Sequence, residues 1–293
     1  MSILNGISFD IEDWFQVENL KGVISCDDWE CCDLRVIQNT EKILRLLNKY
    51  QTRATFFVLG WIAERCPSLV KEIDAEGHEI ASHGYGHELI YKLTPEAFYN
   101  DLQRSREILE SITGKRVLGY RAPSFSVISE TEWAIDMLKD TGFKYDSSIF
   151  PTSFHNRYGF NGISRFPFQF SNGIVEIPLS TYRLWGTNFP LAGGAYFRLF
   201  PYFYFQYFLR RLNNDKKPTS FYMHPWELDP DQPRMKVRFD YRLRHYTNLK
   251  KTEKRLEKLL GHFKFVPLIN LVDRYFPNNK QLTNDTLPMT NDQ

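Results

Sequence analysis

Two histidines separated by three residues, His83-Gly-Tyr-Gly-His87, and an acidic run near the start, Asp10-Ile-Glu12-Asp13, are suited by type and spacing to hold a metal ion. On a helical turn, side chains at i and i+4 share a face, and neutral imidazoles are common ligands of divalent transition metals. The glycines between the histidines allow a tight loop that could bring both rings to one ion. A carboxylate from the acidic run would complete a two-histidine, one-carboxylate set with positions left for water and substrate, a set that zinc, cobalt, nickel and iron all accept. Strand alternation puts Glu12 on the same face as Asp10, but Asp13 could reach instead if the strand has already ended. Both stay open as the third ligand. Elsewhere Arg121 closes the apolar run VLGYRAP, Asp146 and Ser147 sit in KYDSSI, and His224 closes TSFYMHP.

Groups this scattered need a frame to bring them together. Short β-rich apolar runs alternate with helical patterns, which predicts βα units and a parallel sheet. The runs cover 3–11, 53–60, 78–84, 117–123, 144–149, 173–180, 219–225 and 263–268, and the helical patterns cover about 40–50, 61–75, 94–112, 129–141 and 247–260. Thr94-Pro95 offers a cap and a first-turn proline, and Gly114 a stop. Ser129 to Glu132 reads as a capping box, with Gly142 just past the helix end. The expectation is one α/β unit over residues 1–276, a single distorted or incomplete TIM-like (β/α) barrel. In such a barrel the C-terminal strand ends line the active site, and these are the positions of the ionisable groups named above. Residues 184–213 interrupt the alternation, and their aromatic part, 196–212, is expected over one mouth of the barrel. Residues 277–293 are polar and Asn-rich and are expected to form a disordered tail.

With 42% hydrophobic and 25% charged residues among 293, the composition is that of a soluble globular protein with room for a large core. No stretch approaches the roughly 20 apolar residues of a membrane span, and the first residues lack the pattern of a secretory signal. A cytoplasmic location is the expectation, with peripheral contact at the inner face of the membrane as an extension of it. Four cysteines, none in a C-x-x-C pair, fit free thiols in a reducing compartment. Net charge is only +2, yet residues 234–264 carry eleven Lys/Arg against three Asp/Glu. Such a stretch could face anionic lipid or a phosphorylated substrate, or simply be a solvated face. Nothing points to nucleic acid.

Read together, SFD (8–10), SHGYGH (82–87), YRAPSF (120–125), YDSS (145–148) and FYMHP (221–225) resemble, in order, the five motifs of the polysaccharide deacetylases, carbohydrate esterase family four, whose shared region is the NodB homology domain. The resemblance implies metal-dependent removal of an N-acetyl group from an amino sugar, most commonly with zinc. It implies Asp10 as base, His83 and His87 on the metal, Arg121 paired with the base, Asp146 behind the catalytic histidine and His224 as general acid. Many members have a second Asp directly after the first, where this chain has Ile11. The stretch from HPWELDP through RLRHYTNLKKTEKRLEKLL also resembles a subgroup linked to bacterial exopolysaccharide loci. A backbone N–H near Tyr85 or Gly86 is the expected oxyanion donor, and Tyr85 and Trp226 are candidates, with Trp14, to stack on sugar. Substrates to be expected are an oligosaccharide or a lipid- or nucleotide-linked sugar. Two alternatives remain: an amidohydrolase of a small cyclic amide such as allantoin, and a non-catalytic saccharide-binding barrel.

Overall fold

The computed structural model describes residues 3–152 and 163–278 of the chain. The run NGISFDI is buried from end to end, as an interior strand covered on both faces must be, and it forms β1 (Asn5–Ile11). In chain order there follow α1 (Val36–Lys49), β2 (Thr55–Val58), α2 (Gly60–Arg65), α3 (Pro67–Ala75), β3 (Glu79–Ser82), α4 (Pro95–Thr113), β4 (Gly119–Tyr120), α5 (Trp133–Asp140) and β5 (Tyr145–Asp146). The second half adds β6 (Phe168–Gln169), β7 (Val175–Glu176), β8 (Thr181–Leu184), β9 (Thr187–Pro190), α6 (Gly194–Leu199), α7 (Tyr202–Asn214), β10 (Thr219–Met223), α8 (Phe239–Tyr246), α9 (Leu249–His262), β11 (Phe265–Val266) and α10 (Leu268–Tyr275).

The strands lie in the order β10-β1-β2-β3-β4-β5-β7-β6, with β11 beside the start of β1. Neighbours from β10 to β7 are parallel, and only β6 runs against β7. Because β10 and β6 end the path unpaired with each other, the barrel is incomplete, as the sequence predicts. The aliphatic and aromatic side chains between sheet and helices form the main core.

Local chemistry fixes the element ends. Thr94 accepts a hydrogen bond from Ala97 N with Pro95 in the first turn of α4, and Gly114 closes that helix at φ 68°, donating to Glu110 O. The helix predicted over 61–75 is two helices, since Pro67 has no N–H to continue the first and suits the first turn of the next. The predicted helix over 129–141 likewise divides into a 3₁₀ turn (Ser129–Thr131) and α5. The aromatic run 196–212 forms α6 and α7, of which only α6 borders the cavity described below; α7 packs on β10 and α9. Residues from 279 onward, most of the predicted tail, lie outside the described residues.

Candidate active site

Asp10, Glu12, His83, His87 and His224 line one cavity at the C-terminal ends of β1, β3 and β10. Asp10 is the last inward carboxylate of β1. Its Oδ1 accepts from the Arg121 guanidinium at 2.6 Å, and both groups are buried. Arg121 is itself held by Ser8 Oγ (2.8 Å), Ser147 O (3.0 Å) and Ser147 Oγ (2.8 Å), with its carbon 4.1 Å from the centre of the Phe57 ring. A planar fork with its donors occupied this way cannot swing, so the carboxylate it binds is held in one orientation.

Beyond Ile11 the chain turns, with Glu12 N donating to Asp10 O. The turn sends two acids in different directions. Glu12 faces the histidines, its Oε2 2.7 Å from His87 Nε2 and its Oε1 3.3 Å from His224 Nε2. Asp13 faces the protein: its carboxylate accepts from the backbone N–H groups of Trp14 (2.8 Å), Arg35 (2.6 Å) and Val36 (2.8 Å). Asp13 therefore caps the start of α1 and is not a ligand, which corrects that alternative.

The ligand atoms of Glu12, His83 and His87 all lie within 4.8 Å of one another, and all three residues are buried. His83 Nδ1 is 2.8 Å from the carbonyl of Arg121. A carbonyl only accepts, so Nδ1 carries the hydrogen and Nε2 presents its lone pair to the cluster. Burial, only partly opposed by Asp10, lowers the His83 pKa to about 4, which keeps it neutral. Burial raises the Glu12 carboxyl, yet His87, His224 and His83 outweigh it and hold it well below the usual carboxylate range. Glu12 Oε2, 2.7 Å from His87 Nε2, is a buried oxygen that accepts no hydrogen bond of ordinary geometry. An orphaned anionic oxygen beside two imidazoles is what a divalent cation would satisfy, so these residues fit one.

His224 follows β10. Its Nδ1 lies 2.8 Å from Glu227 Oε1, which also accepts from His224 N at 3.1 Å, so Nε2 points at Glu12 and, at 3.9 Å, at Asp10 Oδ2. Glu227 Oε2 accepts from Arg198 Nε at 2.7 Å, and Arg198 also donates to the carbonyls of Arg244, His245 and Thr247. Burial lowers the His224 pKa, but Glu12, Glu227 and Asp10 together raise it to about 9. Asp146, expected behind this histidine, is elsewhere. It pairs in register with Glu176 on β7, and its Oδ1 accepts from Ser148 Oγ at 2.5 Å. Burial, and then the neighbouring Asp146 carboxylate, push the Glu176 carboxyl well above its ordinary range. The partner of His224 is Glu227, within the HPWE run, and its conjugate Arg198 comes from α6.

Four further expectations change. Tyr85 is not at the cavity: Arg104 covers its ring at 3.5 Å and its hydroxyl donates to Glu64. The N–H groups of Tyr85 and Gly86 both bond Asp101, so neither is free to serve an oxyanion. Trp226 lines the cavity but is stacked between His224 (5.2 Å) and His245 (4.3 Å), leaving no open face for a sugar, and its Nε1 donates to Glu12 Oε1 at 3.2 Å. Trp14 is buried and donates to Asp33 O. Phe125 and Tyr222 do line the cavity, and Phe125 and its neighbour Ser124 hold φ near 54° and 52°, a strained pair of non-glycine residues.

Comparison with known proteins places these residues in two matched regions. Residues 24–145, with His83, His87 and Arg121, match the polysaccharide deacetylase family, and residues 147–273, with Arg198, His224 and Glu227, match a domain of unknown function, DUF3473. A Helicobacter pylori peptidoglycan deacetylase is 34% identical over 117 residues, 40% of this chain and 39% of that protein. The Bacillus subtilis peptidoglycan-N-acetylmuramic acid deacetylase PdaA is 34% identical over 130 residues, 38% of this chain and 49% of that protein. The chain thus spans less than half the length of these curated relatives. Two solved structures share the fold over nearly the whole chain: a polysaccharide deacetylase-like protein of Mycobacterium smegmatis (TM-score 0.63, 18% identity, covering 98% of this chain and 96% of that one) and the allantoinase Puue (0.60, 15%, 94% and 91%). Residues 24–145, less than half of the chain, are thus similar to the polysaccharide deacetylase family, and the fold is shared with solved structures over nearly the whole chain.

Proposed function

We propose that this protein hydrolyses the N-acetyl group of an amino sugar in a saccharide or its carrier-linked precursor, using a divalent metal held by Glu12, His83 and His87. The observation that carries the reading is the convergence on one cavity of that ligand set with an arginine-fixed carboxylate and a glutamate-fixed histidine. Relatives named as peptidoglycan deacetylases support an amino-sugar polymer as the substrate class.

An acetamide is a weak electrophile, and water is a weak nucleophile near neutral pH. When bound, the cation supplies Lewis-acid polarisation of the acetyl carbonyl and acidifies the attacking water. Asp10, oriented by Arg121, takes a proton from that water as its oxygen adds to the carbonyl carbon. A positioned base of this kind contributes about 10²–10⁴-fold. The C–N bond then breaks, and His224 gives its Nε2 proton to the departing nitrogen, which leaves as a free amine beside acetate. Glu227 holds His224 in the tautomer and charge state this step needs. The buried Trp226 ring excludes water from one face of His224.

The test is acetate release from N-acetylated chitooligosaccharides and from peptidoglycan, with and without chelator, beside ring opening of a cyclic ureide. Chelator-sensitive acetate release is expected. Hydrolysis of the ureide with no acetate from any saccharide would overturn the proposal.

A further inference from the structure

Helix α8 carries an exposed pair of large apolar side chains one turn apart, Phe239 (78% exposed) and Leu243 (47% exposed). Around them stand the exposed cations Arg234, Lys236, Arg238 and Arg242, with Asp240, paired to Arg238, as the acid among them. A shallow groove between residues 234–237 and α8 is lined by the same mixture of cationic and apolar groups. The next residue of the helix, Arg244, lines the catalytic cavity. The helix therefore has a solvent face and a site face, and whatever sits on the first lies at the mouth of the second.

We infer that α8 is an interfacial helix that seats the mouth of the cavity on an anionic lipid bilayer. Apolar side chains within a basic surround are what such surfaces take up, the cations held by lipid charge and the apolar pair entering the headgroup boundary. A second copy of this chain fits less well, because it would press like charges together. A soluble polyanion would satisfy the cations but leave Phe239 and Leu243 in water. No helix among the described residues is long and apolar enough to cross a membrane, so the contact would be peripheral. The inference goes beyond the deacetylase reading and does not need it, since binding is read without turnover.

The experiment is co-sedimentation of the whole chain with vesicles of phosphatidylcholine alone and of phosphatidylcholine mixed with phosphatidylglycerol, at low and high salt. Binding to the anionic vesicles that weakens with salt is expected. Each cation near an anionic surface multiplies binding about fivefold, so Lys236→Gln/Arg242→Gln should bind roughly 25-fold more weakly. Phe239→Ser/Leu243→Ser should lose the part of binding that survives salt, and should keep the wild-type melting temperature and wild-type hydrolysis of a soluble substrate. Three results would overturn the inference: wild type that stays in the supernatant at low salt, variants that sediment like wild type, or vesicle binding abolished by dextran sulfate but untouched by Phe239→Ser/Leu243→Ser.

Discussion

Replacing Gly194 by alanine would add one methyl group at the first residue of α6, where a Cβ overlaps both carboxylate oxygens of Glu227. That carboxylate has no slack. Glu227 is completely buried, one oxygen bonds His224 and the other bonds Arg198. To restore ordinary van der Waals distance it must move by about 1.5 Å, which breaks or lengthens two charge-assisted bonds. A displacement of about 1 Å in a group that orients the acid costs about 10²-fold in rate. Loosening a buried ion pair also costs about 3 kcal/mol of stability. The expected phenotype of Gly194→Ala is therefore a kcat about 10²-fold lower with KM little changed, and a lower melting temperature. Glu227→Asp in the same background shortens the side chain away from the new methyl and should recover part of the rate. The assay is steady-state acetate release beside thermal unfolding. If Gly194→Ala is as fast and as stable as wild type, Glu227 does not position the acid and the reasoning fails.

Other consequences can be checked separately. Glu12→Gln removes a proposed ligand and should weaken metal retention by more than the roughly 10–100-fold seen when only a group hydrogen-bonded to a ligand is lost, whereas Asp13→Asn should keep the metal and lose about 1–2 kcal/mol through the α1 cap, both read by metal analysis and melting. His224 has its pKa raised to about 9 by Glu12, Glu227 and Asp10 against burial, so the acid is protonated at neutral pH and activity falls as pH rises through that value. Glu227→Gln removes one of those charges and should move the basic limb of the kcat profile to lower pH; an unmoved limb would contradict the assignment. Asp229 is held below its ordinary pKa, burial being outweighed by the Arg35 guanidinium and Asn39. The pair should therefore stabilise the fold above about pH 4 and lose that contribution as pH falls, and Arg35→Met should flatten the acid side of a stability profile.

Much of the frame was legible because the strands that supply the site reach their ionisable group at the end of the run, as β1 does at Asp10 and β10 does just before His224. The ends of α4 were legible from Thr94, Pro95 and Gly114, whose capping is local chemistry. What sequence reading missed depends on pairing across the sheet. Asp146 lies opposite Glu176 because β5 pairs with β7, a neighbour relation that spacing along the chain does not encode. The choice between Glu12 and Asp13 turned on where β1 stops, and the turn after Ile11 sends Asp13 to backbone N–H groups more than twenty residues away. Glu227 stood in view three residues after His224, but its role depends on Arg198 and on the space at Gly194, both supplied by α6. The Tyr85 and Trp226 assignments failed for one reason. An aromatic ring near a site offers a stacking face only if no neighbour has taken it, and here Arg104, His224 and His245 have.

The account is tested most directly by measuring bound metal and acetate release together, on N-acetylated oligosaccharide, for wild type and Asp10→Asn. Asp10 touches Arg121 and faces His224 without belonging to the ligand set, so the substitution should spare the metal and remove the base. The prediction is an equal metal content in the two proteins and a rate lower by about 10² or more in Asp10→Asn. Equal rates with equal metal would contradict it.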